Sequence, residues 1–144
     1  MQAEMLKKFM KENISDVSAG DTVRVHIKVV ERAKELEFKA LALTDHGNID
    51  GAIKFFNKCK KENIQAIVGC ELYIVPDIKV KEDKEKRLHV VYLCKNLAGM
   101  QSLMRMLTIA NLEGFYRRPR IDISTLRENC HKENCIITTA CASG

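Results

Sequence analysis

Side chains able to hold a divalent ion recur at the edges of short apolar runs. They are His46 in Thr44-Asp45-His46-Gly47, Glu71 in Gly69-Cys70-Glu71, His89 ahead of Val90-Val91-Tyr92-Leu93, and Cys141 in Ala140-Cys141-Ala142-Ser143-Gly144. Imidazole, carboxylate and thiolate all bind zinc, and the first two also suit manganese or iron. Singly, each has a plainer reading: a hydrogen-bonded surface histidine, a turn carboxylate, a packed thiol. Their order gives them weight. A whole helix–strand unit separates His46 from Glu71, so any site must be assembled from distant strand ends. That layout suits catalysis better than a zinc finger, which draws its ligands in close pairs. The segment Cys130-His131-Lys132-Glu133-Asn134-Cys135 has no second close pair to complete four ligands, and it reads as a solvated turn.

The elements that must position these groups follow from periodicity. Residues 2–13 read as an amphipathic helix with Met5, Leu6, Phe9 and Met10 on one face. From Thr22 to Val30 the apolar residues Val23, Val25, Ile27 and Val29 alternate with polar ones, which predicts a strand with one wet face. A helix from about Val30 to Glu37 leads to a buried strand at Ala40-Leu41-Ala42-Leu43. A helix from Ile49 to Glu62, with Ile53, Phe56 and Cys59 inward, leads to an apolar strand at Ile64–Val68. Strand, helix, strand is the βαβ pattern, whose ligands gather at the carboxyl ends of the strands, where His46 and Glu71 are expected. Leu72 to Val75 runs on to Pro76, and residues 77–87 form a charged excursion whose acids nearly cancel its bases. His89 to Cys94 returns as a strand. Leu97 to Leu112 is a helix with Met100, Leu103, Met104, Leu107 and Ala110 inward, 114–120 is a loop, Ser124 caps a short helix through Glu128, and Cys135 to Ala140 is a last strand.

With 144 residues, of which 46% are hydrophobic, the chain can bury one core. The formal charge of +5 lies wholly in residues 32–144, because five bases and five acids balance in residues 1–31. No apolar run approaches the roughly twenty residues that cross a bilayer, and acidic residues interrupt the N-terminus. A cytoplasmic location without membrane contact is expected. The six cysteines form no C-x-x-C pair and are expected to be reduced.

Taken in order, these motifs resemble the PHP (polymerase and histidinol phosphatase) domain of the bacterial DNA polymerase III alpha subunit, from about Val30 to Gly144. Residues 110–122, holding Leu112-Glu113-Gly114-Phe115-Tyr116 and Pro119-Arg120-Ile121-Asp122, are similar to the polymerase branch of that family rather than its phosphatases. The resemblance implies an α/β fold, an incomplete PHP-type β/α barrel of TIM-barrel-like kind with an added N-terminal helix and strand. It also implies a multinuclear site with His46, Glu71, His89 and Cys141 as metal ligands and Asp45 orienting an imidazole. The cofactor would be divalent zinc, manganese or iron, possession of which suits phosphoester hydrolysis, proofreading or pyrophosphate removal. DNA and other replisome subunits would be the partners. Arg117, Arg118 and Arg120, beside Phe115 and Tyr116, suit contact with phosphate and stacking on bases, and equally suit a well-packed loop tied to its neighbours.

The resemblance is incomplete. The H-x-H motif that opens the family's domain and its late D-x-H motif are both missing, so we expect a fragment that is inactive alone and unable to polymerise DNA. His26 is a candidate substitute ligand, although Arg24 and Lys28 beside it would repel a cation. Gly20 to Glu31 is instead similar to the N-terminal region of the large-subunit ribosomal protein L nineteen family. The division expected is therefore a ribosomal-protein-like helix and strand in residues 1–31 and a partial PHP domain in 32–144. The alternatives are a catalytically silent chimeric scaffold, or a ribosomal RNA-binding protein acting through residues 1–31.

Overall fold

The computed structural model describes residues 22–82 and 87–140. They form a mixed α/β unit, the class expected. Its helices are α1 (Thr22–Glu35), α2 (Ala52–Lys61), α3 (Leu97–Leu112) and α4 (Ile123–Asn129), and its strands are β1 (Ala40–His46), β2 (Gln65–Val75), β3 (Leu88–Cys94), β4 (Arg120–Asp122) and β5 (Cys135–Thr139). The five-stranded sheet runs β1-β2-β3-β5, with β4 also beside β2. β1 and β4 are parallel to β2, whereas β3 is antiparallel to both β2 and β5.

Side chains alternate across a pleated sheet, and here one face takes the helices. Leu41 and Leu43 with Ala66 pack against Val30 and Ala33 of α1 and Phe55 and Cys59 of α2. Further along the same face, Cys70, Leu72, Ile74 and Tyr92 pack against Leu103, Met106, Leu107 and Ala110 of α3. The Tyr92 hydroxyl, buried under α3, donates to the Gly99 carbonyl at 3.2 Å.

Four local expectations are corrected. Thr22–Val30 is not a strand: it opens a helix that runs to Glu35. Val23, Ile27, Val30 and Ala33 also recur at helical spacing, and the helix-forming run Glu31-Arg32-Ala33-Lys34-Glu35 extends cooperatively into the β-branched segment. The helix ends with Glu37 at φ 58, its N–H on the Lys34 carbonyl and that of Phe38 on the Ala33 carbonyl, a left-handed C-terminal cap. His26 therefore lies on a helix and not on a strand entering the sheet.

The buried face of α2 is Ala52, Phe55 and Cys59, one position round from the expected stripe, leaving Ile53 77% exposed and Phe56 half exposed. In α3 it is Met106 that is fully buried, while Met104 faces out. The cap of α4 is Asp122, not Ser124: its Oδ1 accepts the Thr125 N–H at 2.8 Å and the Ser124 hydroxyl at 2.7 Å.

Partial burial pushes the Asp122 carboxyl up, but the hydrogen bonds from Thr125 and Ser124 prevail and hold it below the usual carboxylate value. A depressed folded pKa contributes stability that is present above the unfolded value, near pH 3.9, and is lost as pH falls through the folded value. Asp122→Ala is expected to cost about 1 kcal/mol at neutral pH, and the difference from the parent to shrink below about pH 4. Urea melts of both proteins at pH 7 and pH 3 check this.

Candidate metal centre

The sheet face away from the helices carries the expected acid and imidazoles. In register, His46 of β1 lies opposite Glu71 of β2, and His89 of β3 lies opposite Tyr73, two residues beyond Glu71. Period-two alternation puts all four on one pleat. The Glu71 carboxylate is their centre: Oε2 lies 2.8 Å from His46 Nδ1, and Oε1 lies 3.2 Å from His89 Nδ1. Its side chain is 14% exposed, against 68% for His46 and 26% for His89, so a sheltered acid faces solvent through two imidazoles.

Glu71 was expected where a strand ends, yet β2 continues through it to Val75. The strand that ends is β1, at His46. Gly47 then takes φ 68, a left-handed conformation suited to glycine, and donates its N–H to the Glu71 carbonyl at 2.9 Å. His89 is held from the other side by the Tyr73 ring, edge-on at 5.1 Å between centroids.

Adjacent residues of the two motifs point the other way. Cys70 is fully buried and donates its Sγ–H to the Asp45 carbonyl at 3.2 Å. Burial pushes its thiol up to about 12, with the nearby Asp45 and Glu71 charges adding to the rise. Asp45 lies opposite Cys70 in the ladder, on the pleat away from His46. Cys70 is expected to resist alkylation at pH 8 in the native protein and to react on unfolding, because the thiolate is the nucleophile. Mass spectrometry of iodoacetamide-treated protein, with and without urea, checks it.

Cys141 lies outside the described residues. Ala140, the residue before it, donates its N–H to the His89 carbonyl at 3.2 Å. Among the described residues no group of three or more His, Cys, Asp or Glu is arranged to hold an ion. The pairs around Glu71 supply donors of the right kind, the His89 pair at ligand spacing and the His46 pair at hydrogen-bond spacing. Two ligands about 2.0–2.1 Å from a shared ion stand roughly 2.9–3.3 Å apart at octahedral to tetrahedral angles. Alternatively the carboxylate accepts both Nδ1–H groups, fixing the imidazoles so that each Nε2 becomes the donor.

The three arginines do not act together. Arg117 and Arg118 are exposed on a tight turn in which Tyr116 and Arg118 exchange backbone hydrogen bonds of 3.1 and 2.6 Å. Arg120, expected to reach nucleic acid with them, is 0% exposed. Its Nε donates to the Gly114 carbonyl at 2.9 Å, and Nη1 and Nη2 to those of Val80 and Ile78, each at 3.0 Å. Its guanidinium also lies over the Tyr116 ring, 5.4 Å from the centroid. Arg120 opens β4, a three-residue strand at the end of the expected 114–120 loop, and Asp122 both closes it and caps α4.

The chain belongs to the PHP domain family, whose model matches residues 13–144. It is similar to DNA polymerase III subunit alpha of Chlamydia trachomatis, 41% identical over 121 residues that make up 81% of this chain and 10% of that one. It is 44% identical to the same subunit of Helicobacter pylori over 121 residues, 82% of this chain and 10% of that one. With the subunit of Borreliella burgdorferi the identity is 39% over 134 residues, 90% of this chain and 12% of that one. The chain thus spans about a tenth of the length of these relatives. Among solved structures, an amidohydrolase from Chromobacterium violaceum matches with a TM-score of 0.43 and 21% identity, over 59% of this chain and 27% of that one.

Proposed function

We propose that this chain is a PHP unit of the DNA polymerase III alpha type that holds a divalent metal on the open face of its sheet. His46, Glu71 and His89 are the ligands, with Cys141 as a further donor, while Asp45, on the opposite pleat, is not the imidazole-orienting residue expected. The observation that carries this reading is the single sheltered carboxylate of Glu71, with an imidazole nitrogen 2.8 Å from one oxygen and another 3.2 Å from the other. Zinc, manganese and iron all accept this donor set.

A divalent ion held there would supply Lewis-acid activation of a phosphate ester and of water. The chain's own residues do the positioning: Glu71 orients both imidazoles, Gly47 turns the chain so that His46 stays over Glu71, and Tyr73 supports His89. Arg117 and Arg118, exposed beside Tyr116, are the cations available to a phosphate backbone. DNA and replisome subunits are the partners that the polymerase resemblance favours. No helix among the described residues is long and apolar enough to cross a membrane.

The division into residues 1–31 and 32–144 enters this reading as sequence history. Helix α1 spans that boundary, and Val30 and Ala33 on either side of it share one core cluster. A ribosomal small barrel would need Gly20–Glu31 extended, whereas the chain is helical from Thr22, which favours the PHP reading over RNA binding.

Calorimetric titration with Mn²⁺, with manganese-dependent hydrolysis of bis(p-nitrophenyl) phosphate measured alongside, tests the proposal. Mn²⁺ binding without turnover is expected from the parent protein, since the H-x-H and D-x-H motifs are missing, and much weaker binding from His46→Ala. Failure to hold Mn²⁺ would defeat the metal reading and leave the catalytically silent scaffold, and turnover would show a competent site despite the missing motifs.

A further inference from the structure

Residues 114–122 carry the resemblance to the polymerase branch, yet their central arginine is sealed inside the protein. Arg120 ties Gly114, at the start of the loop, to Ile78 and Val80 in the segment after β2. The loop is thus pinned at both ends, and the pairing of Arg120 with Tyr73 fixes its exit against β2. What this delivers is Pro119. A Cβ built on Gly47 would meet Pro119 Cγ at 2.6 Å, Pro119 Cδ at 3.4 Å and Tyr73 Cε2 at 3.4 Å. The proline and tyrosine rings therefore lie directly against the turn that follows His46, and the same tyrosine ring supports His89.

We propose that Pro119, seated by Arg120, is a positioning residue that holds the Gly47 turn and, through it, keeps His46 over Glu71. In this arrangement the loop between α3 and β4 serves the metal face from beside the Gly47 turn. The rings of Pro119 and Tyr73 leave no room for the turn to shift toward β4, while the bond from the Gly47 N–H to the Glu71 carbonyl holds it from the strand side. Substitutions in the loop would then change metal affinity without touching a ligand.

The inference rests on the metal reading above, and two measurements on Pro119→Ala separate them. Hydrogen exchange of the Gly47 amide requires no metal. It is expected to lose protection in the variant while the core amides of Leu72 and Tyr92 keep theirs; unchanged Gly47 protection overturns the proposal. In calorimetric titration with Mn²⁺, Pro119→Ala is expected to bind about tenfold more weakly than the parent. In a His46→Ala background the same change is expected to have no further effect, because it acts through His46. An equal loss in both backgrounds would mark general destabilisation and overturn the positioning role. A parent protein that binds no Mn²⁺, with Gly47 exchange still responding, would overturn the metal reading while leaving the seat itself established.

Discussion

Glu71→Ala is expected to weaken Mn²⁺ binding by about 100-fold or more while changing the stability of the protein by no more than about 1 kcal/mol. The affinity loss follows from the position of Glu71 between both imidazoles, so that one truncation removes a carboxylate and releases two ring orientations together. The small stability effect follows from exposure. His46 is largely solvated, and ion pairs of that kind contribute at most about 1 kcal/mol. The carboxylate lies on the face away from the helices, so its removal opens no cavity in either core cluster. Isothermal titration with Mn²⁺ and urea denaturation on the same preparations check both halves. Glu71→Gln adds detail: it keeps the shape and one acceptor, so it should retain more affinity than Glu71→Ala if the carboxylate chiefly orients the imidazoles.

Arg120→Met is expected to show the opposite pattern, a loss of about 3–5 kcal/mol in stability. Methionine fills a similar volume but donates nothing, so the buried Gly114 carbonyl and the partly buried Ile78 and Val80 carbonyls would each lose an N–H donor. Each such loss costs about 1–3 kcal/mol, less whatever water recovers by entering. Domains of this size are stable by only about 5–15 kcal/mol, so the variant should be close to unfolding at physiological temperature. Arg120→Lys should recover little, because an ammonium is a point donor on a flexible stem and the three carbonyls are spaced for a planar fork. Urea denaturation of the three proteins checks this order, and a loss below about 1 kcal/mol in Arg120→Met would show that the loop is held by other means.

Much of the site was legible because each candidate ligand sits beside an apolar run, and an apolar run bounded by polar residues marks a strand edge whatever the rest of the fold. The unit β1-α2-β2 and helix α3 were readable for the same reason. Glu71 was placed in the right company but at the wrong point of its strand. Gly69 resembles a stop, yet in β2 it sits within the ladder opposite Leu93. The N-terminal helix was hidden because Val23 to Val29 satisfies both periods, and what decides between them is the tertiary partner: Val30 and Ala33 bury against Phe55 and Cys59. β4 is three residues long, too short for any periodicity. The burial of Arg120 had no local signal, since its acceptors Ile78 and Val80 lie about forty positions earlier in a stretch that reads as solvated charge. An arginine beside aromatics suggests nucleic acid as readily as a structural pin, and only the three carbonyls separate the two.

The central claim is that one carboxylate gathers two imidazoles into an ion site on the open face of the sheet. Anomalous diffraction at the manganese edge, from crystals equilibrated with Mn²⁺, tests it most directly. A density peak within bonding distance of His46 and His89, and touching or adjoining Glu71, is the result predicted. A well-ordered face with no peak there, or a peak bound elsewhere while Glu71 keeps its two imidazoles, would contradict it.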